Sequence, residues 1–99
     1  MNQLQQMMMQ ANKMKRELRK AEEELKAKEF VVSKGGAVKV TVMGDRSVKA
    51  IDIDKDAFDA DNKEMIEEMI ALAITEALAQ ILQEERAYKE RITGSPEGY

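Results

Sequence analysis

The polar and apolar residues of this chain follow two different periods, and the change of period divides the chain into segments. From residue 4 to residue 25, apolar residues recur at alternating intervals of three and four, which is a heptad pattern sustained over three repeats. The members of this seam are Leu4, Met7, Ala11, Met14, Leu18, Ala21 and Leu25. The pattern predicts a first helix over about residues 1–28.

Residues 29–54 show period-two alternation and predict a three-stranded antiparallel sheet. A short first strand is expected at "FVVS", where β-branched and aromatic residues appear. In "AVKVTV" and "VKAIDID" the apolar residues share one face of each strand, and the glycines of "SKGG" and "MGDRS" supply the turns. The residues expected in a core or in a dimer interface are Val38, Val40, Val42, Ile51 and Ile53.

An acidic linker over residues 55–61 precedes a second long helix, predicted over residues 62–93. Asp61, followed by Glu64 three residues later, predicts a capping box at the start of this helix. "TGSP" stops the helix and leaves a short tail at residues 94–99. The apolar residues of this second helix cover more than half of its circumference. Those expected in the core or dimer interface are Met69, Ile70, Ile74, Leu78 and Ile81.

The predicted fold is α+β: one domain over residues 1–99 with a long N-terminal helix, a three-stranded sheet and a long C-terminal helix. About thirty helical residues span about 45 Å, whereas a compact chain of this length has a radius of gyration of about 13 Å. The second helix must therefore overhang its own domain or pack on a second copy. Because three short strands cannot cover such a helix, we expect an intertwined or sheet-and-helix packed homodimer.

The composition argues against an enzyme. Histidine and cysteine are both absent, which removes the commonest general base, the thiol nucleophile and nearly every zinc site. The spacing of Asp52, Asp54 and Asp56 resembles the start of a calcium loop, but such a loop needs Gly and Glu where this chain has Ala57 and Lys63. We therefore predict no catalytic residues, no metal, no cofactor and no small-molecule substrate.

No membrane association is expected either. The longest unbroken apolar stretch, residues 69–74, is far shorter than the roughly 20 residues that a membrane-spanning helix needs. The sequence predicts a soluble, cytoplasmic protein.

The charge is unevenly distributed along the chain. The net charge is −3, but residues 1–34 carry eight Lys and Arg against five acids, a local balance of +3. Five of these cations lie outside the heptad seam and form the basic stripe: Lys13, Lys15, Arg16, Arg19 and Lys20. A smaller group near the end of the second helix contains Arg86, Lys89 and Arg91. By composition alone, a solvated helix face is the commoner explanation, and a phosphate-binding face is the alternative.

The order of elements and the amino-acid sequence of the hairpin resemble those of the YbaB/EbfC family of bacterial nucleoid-associated proteins. The similarity runs from about Leu4 to Ile92 and is most specific in "GGAVKVTVMGDRSVKAIDID" and "EMIEEMIALAITEALAQI". The Met- and Gln-rich opening "LQQMMMQANKMKREL" is also similar to the family's first helix.

This resemblance implies a non-enzymatic homodimer of tweezer-like shape that binds DNA, located in the nucleoid, and affects nucleoid organisation or transcription. Helical arms are the implied DNA contacts, which here correspond to the basic stripe and to Arg86, Lys89 and Arg91. With the resemblance included, phosphate contact becomes the favoured explanation of these cations. We expect salt-sensitive, largely sequence-independent binding.

A protein-binding scaffold or holdase is the alternative from another class. A helix, hairpin and helix with a heptad seam also resemble a small prefoldin-type subunit whose arms hold partner proteins. A scaffold should bind its client with little response to salt, whereas a DNA-binding protein should lose affinity steeply as salt rises.

Overall fold

The computed structural model describes residues 2–99 and confirms the predicted α+β class; Met1, part of the predicted domain, lies outside the described residues. A three-residue 3-10 turn, Ala60–Asn62, precedes the second helix. The main elements are α1 (Gln3–Ala27), β1 (Glu29–Lys34), β2 (Val38–Met43), β3 (Val48–Ile53) and α2 (Lys63–Thr93). The three strands form one antiparallel sheet in the order β1-β2-β3, as the alternation predicted.

The first helix begins with a capping box made of uncharged residues. The side-chain oxygen of Asn2 accepts a hydrogen bond from the backbone N–H of Gln5 at 2.8 Å, and the Gln5 side chain accepts one from the Asn2 N–H at 3.4 Å. These contacts satisfy backbone donors that a helix start otherwise leaves unpaired. At the other end the Lys28 N–H donates to the Leu25 carbonyl at 3.0 Å, and the chain turns into β1.

The hydrophobic core lies between α2 and one face of the sheet. Val40 and Val42 of β2 are completely buried, and so are Ala73, Ala77 and Ile81 of α2. The two alanines lie four residues apart on one face of α2, and their small side chains allow the helix backbone to approach the strands closely. The alternation that predicted the strand thus also identified its buried face.

Gly44, in the turn between β2 and β3, is positioned by a close contact with the end of α1. Its N–H donates to the Lys28 carbonyl at 2.9 Å, and a Cβ added at this residue would lie 1.7 Å from the Leu25 carbonyl oxygen. The sequence indicated a turn residue here. The structure adds a steric reason for glycine, because no other side chain fits against the last turn of α1.

The two helices pack antiparallel over a short length, and α1 then continues alone. Leu18, Ala21 and Leu25 pack into the core beside Tyr88 and Ile92 of α2. Residues 3–17 of α1 are all exposed, and we call this segment the arm; at 1.5 Å per residue it extends about 22 Å. The chain measures 71 × 19 × 15 Å, with a radius of gyration of 19.4 Å. The first helix therefore overhangs the domain.

The predicted capping box of Asp61 and Glu64 is wrong. The N-cap of α2 is Asn62, and it makes no side-chain capping bond. Instead, the Asp59 carboxylate accepts the Asp61 N–H at 2.8 Å and caps the preceding 3-10 turn. The Asn62 side chain donates to the Ala57 carbonyl at 3.0 Å. One extra turn of 3-10 helix moves the start of α2 and removes Asp61 from the capping position.

Within residues 2–99, neither helix is both long and apolar enough to cross a membrane.

Candidate nucleic-acid interface

The basic stripe lies on the outer surface of α1, at the root of the arm. All five of its side chains are exposed. Lys13 lies 4.0 Å from the Glu17 carboxylate, which is the limit of an ion pair. In the described part of the chain, the other four cations have no carboxylate within that distance. Their charges are therefore available to an anionic partner.

The three predicted contacts at the end of α2 differ from one another in their surroundings. Arg91 is exposed, forms no ion pair with a described residue, and lines a groove of about 450 Å³ between α1 and α2 together with Lys20. Arg86 lies 3.8 Å from the Glu97 carboxylate of the tail. Lys89 is half-buried and 2.8 Å from Glu85. The fold therefore brings Arg91 to the basic stripe, whereas Lys89 is already paired.

The partner of Lys89 belongs to a small ionic network that joins the β2–β3 turn to α2. The Glu85 carboxylate accepts hydrogen bonds from Arg46 at 2.7 Å and from Lys89 at 2.8 Å. The hydrogen bond from Arg46, followed by that from Lys89, holds the pKa of Glu85 below its usual range. The hydrogen bond to Glu85 in turn raises the pKa of Lys89. Lys89 is therefore the least available of the predicted DNA contacts.

Sequence reasoning did not identify Arg46 or Tyr88. Arg46 lies in a turn with a φ of 73°, and its partner Glu85 is 39 residues away, so no local pattern marks the pair. Tyr88 is buried between the two helices, and burial raises the pKa of its hydroxyl. Its position seven residues after Ile81, on the same helix face, was a signal that could have identified it as a core residue.

The residues predicted for the core or dimer interface divide by exposure. Val38, Val40, Val42 and Ile81 are buried. Ile51 is 46% exposed. The partly buried members, which pack against the core, are Ile53, Met69, Ile70, Ile74 and Leu78.

Ile51 belongs to an exposed apolar surface at the edge of the core. A register irregularity after Thr41 sets Val48 opposite Val42, and Ile51 lies opposite Val40, so the inward side of β3 continues the buried row of β2. Val48 is 45% exposed and Leu82 of α2 is 49% exposed. We call Val48, Ile51 and Leu82 the β3 patch.

Leu82 lies on the side of α2 that faces β3. It follows Ile74 and Leu78 at four-residue intervals, so the three side chains share one side of the helix. Glu85, one turn further on, accepts a hydrogen bond from Arg46 in the β2–β3 turn. The side of α2 that carries Leu82 and Glu85 is therefore the side nearer to β3. The β3 patch is therefore a strip of apolar surface along the open edge of the core.

A groove of about 410 Å³ between α1, the β2–β3 turn and α2 contains carboxylates but does not resemble a catalytic pocket. A general acid at neutral pH needs a raised pKa. Here hydrogen bonds lower the pKa of three of its four carboxylates: Ser47 acts on Asp45, Arg46 on Glu85, and Ser95 on Glu97. Among residues 2–99, no group of three or more acidic side chains is arranged to hold a metal ion.

The chain is similar to known proteins over nearly its whole length. A nucleoid-associated protein of Lachnospira eligens is 44% identical over 72% of this chain, a region that spans 62% of that protein, less than two thirds of its length. A nucleoid-associated protein of Clostridium novyi is 37% identical over 89% of this chain and 78% of that protein. One of Enterococcus faecalis is 33% identical, covering 100% of this chain and 96% of that protein. A profile of the YbaB/EbfC DNA-binding family matches residues 1–96, and the chain belongs to this family.

Proposed function

We propose that this protein is a non-enzymatic, nucleoid-associated DNA-binding protein that holds DNA by phosphate contacts from the root of its arm. The observation that carries the proposal is the basic stripe, in which Lys15, Arg16, Arg19 and Lys20 are exposed and unpaired among the described residues. The family is a DNA-binding family, and the relatives are named nucleoid-associated proteins. DNA is the proposed partner and the nucleoid the proposed location.

Phosphate contact gives this binding a defined dependence on salt. Each neutralised phosphate releases condensed counterions, so the logarithm of the association constant falls with a slope of about −0.9 per contact. If all five stripe cations contact phosphates, raising the salt from 50 to 200 mM should weaken binding by about 500-fold per stripe. Such contacts carry no sequence information, so the binding is largely independent of sequence.

We further propose that the functional unit is a homodimer that uses the β3 patch. The patch is apolar, exposed and continuous with the core, and the inward side of β3 lacks the cover that α2 gives to β1 and β2. A second copy placed on this surface would bury it on both chains in a self-complementary interface. Two copies present two basic stripes, so one dimer can contact two stretches of DNA and thereby affect nucleoid organisation or transcription.

The test of DNA binding is a fluorescence-anisotropy titration of a labelled duplex of about 30 base pairs. The parent is compared with the variant Lys15→Glu, Arg16→Glu, Arg19→Glu at low and at near-physiological salt. We expect the parent to bind at low salt and to lose affinity steeply as salt rises, and the variant to lose binding at both concentrations. Circular dichroism and light scattering check that the variant keeps its helices and its mass.

A matched control separates position from total charge. The variant Lys39→Glu, Lys55→Glu, Lys63→Glu changes the net charge by the same amount. Its three residues are exposed and lie outside α1 and away from the C-terminal end of α2. It should bind DNA nearly as well as the parent. An equal loss of DNA affinity in both variants would show that net charge, and not the position of the basic stripe, determines binding. No binding by the parent at low salt would refute DNA contact and favour the scaffold, whose binding to a protein client is insensitive to salt.

The homodimer is tested by substitution within and outside the β3 patch. Ile51→Glu should shift the mass measured by light scattering from two chains to one, because a charge in an apolar interface has no partner. Val31→Glu is the matched control, because Val31 is 50% exposed on the opposite face of the sheet. A parent that is monomeric at high concentration, or equal masses for the two variants, would exclude this interface.

A further inference from the structure

The outer part of the arm has a surface that phosphate contact does not explain. Residues 2–12 include no charged side chain, and all of them are exposed. Leu4 is 64% exposed, Met7 60% and Met8 58%. The first cationic side chain is Lys13, so the side chains of the distal ten residues of the arm cannot neutralise a phosphate. An apolar, uncharged helix surface of this length is typical of an interaction site.

The exposed apolar residues of the arm continue an interface that already exists within the chain. Leu18, Ala21 and Leu25 are covered by α2. After α2 ends at Thr93, the same heptad seam runs on along the arm without cover. We call this part the open seam: Leu4, Met7, Ala11 and Met14. The heptad seam of α1 as a whole has the geometry of a helix-packing surface, because its inner half already packs on α2.

We propose that the open seam of one arm packs antiparallel against the open seam of an arm from a second copy of this chain. In an antiparallel heptad pairing, a positions face d positions, which sets Leu4 against Met14 and Met7 against Ala11. Each of the four layers then combines one residue from each arm. The occupant of the seam is thus the same segment of another molecule.

Charge selects the antiparallel direction. In this register the cationic segment 13–16 of one arm lies beside residues 2–5 of the other, which are Asn, Gln, Leu and Gln. A parallel pairing would instead place the two cationic segments side by side, and that contact is repulsive. Unlike the parallel arrangement, the antiparallel one brings no like charges together.

The size of the seam sets the strength of this contact. Three large apolar side chains and one alanine per arm bury far less than the roughly 1,000 Å² expected of a stable interface. The pairing is therefore weak and reversible in dilute solution, and methionine suits it because its flexible side chain adapts to an inexact fit. This step rests on the proposed function: when many molecules bind one DNA, they share a small volume, and the high effective concentration of arms favours pairing. Arm pairing would then link neighbouring dimers.

Cysteine cross-linking in the absence of DNA tests the pairing directly. The chain contains no cysteine, so each introduced thiol is unique. Met7→Cys and Ala11→Cys proteins, one of them with a mass tag, are mixed at high concentration and mildly oxidised. We expect the mixed Met7–Ala11 disulfide to form in excess over either same-position disulfide, because a disulfide needs Cα atoms about 5.5 Å apart. The variant Met9→Cys is the control, since residue 9 lies at the same height on the opposite helix face.

Two further measurements complete the test. Adding Leu4→Gln and Met14→Gln to both cysteine variants should abolish the mixed disulfide without lowering the helix content, since both residues are exposed. Light scattering of the cross-linked product should give the mass of four chains or more, because both arms of each dimer carry a thiol. Same-position disulfides in excess, cross-linking equal to the Met9→Cys control, or a product of only two chains from a parent that light scattering shows to be dimeric would overturn the proposal. If DNA binding holds while cross-linking fails, this inference alone fails, and the open seam belongs to a different protein.

Discussion

Replacing Gly44 by alanine should destabilise the protein through a backbone clash. The added Cβ would lie 1.7 Å from the Leu25 carbonyl oxygen and 2.5 Å from the carbonyl carbon, whereas a relaxed contact needs about 3.5 Å. The β2–β3 turn must therefore move away from α1 by more than 1 Å. That movement breaks the 2.9 Å hydrogen bond from the Gly44 N–H to the Lys28 carbonyl, worth about 1 kcal/mol. It also loosens the packing of buried Leu25, at a further cost of about 1–3 kcal/mol.

The expected total is a loss of about 2–4 kcal/mol in the free energy of unfolding. Urea denaturation followed by circular dichroism measures it, at one fixed protein concentration because association would contribute to stability. Gly36→Ala is the control: its φ is +65°, with nothing within 4 Å of the added Cβ, so only backbone strain of about 1–2 kcal/mol opposes it. A Gly44→Ala loss no larger than that of Gly36→Ala would refute the steric argument.

Two further substitutions test the ionic network and the core. Glu85→Gln should lower stability by about 1 kcal/mol at pH 7, because it weakens the contacts to Arg46 and Lys89. Since the fold lowers the pKa of Glu85 from 4.5, its contribution is fully present above pH 4.5 and is lost as the pH falls through the lowered pKa; urea denaturation should show a smaller difference between parent and variant at pH 3.5 than at pH 7. Ile81→Ala, at a completely buried residue, should cost about 2–5 kcal/mol, against less than about 1 kcal/mol within one chain for half-exposed Leu82→Ala. Thermal unfolding at low concentration checks that order. Equal losses of stability in the two variants would show that Ile81 is not a core residue as described.

The strands and helices were predictable because their signals are local. Val38, Val40 and Val42 alternate with polar residues, and any sheet with one buried face places such residues inward. The heptad steps of α1 likewise needed no knowledge of the rest of the chain. The start of α2 was not predictable in the same way, because Asp59 and Asp61 both suit a capping position and the choice between them depends on the 3-10 turn.

The candidate interface was predictable only in part. Exposure of the basic stripe followed from its place outside the heptad seam, since a helix periodicity fixes which side chains face away. The ion pairs did not follow from the sequence: Lys89 and Arg91 are two residues apart, yet among the described residues only Lys89 meets an acidic partner, and Arg46 joins that network from a distant turn. Ile51 belongs to the same alternation as Ile53, and its exposure depends on where α2 crosses the sheet. Such facts belong to tertiary packing, which sequence periodicity does not encode.

The short contact between the helices makes the arm a cantilever. Only the last three turns of α1, which contain Leu18, Ala21 and Leu25, are fixed against the body, and the rest extends about 22 Å from that support. A tilt of about 10° at the support moves the free end by about 4 Å, compared with a DNA minor groove of about 6 Å. Small changes in the packing around Tyr88 therefore change the direction of the arm. A core substitution there would therefore change the proposed contact with DNA without replacing a single cation.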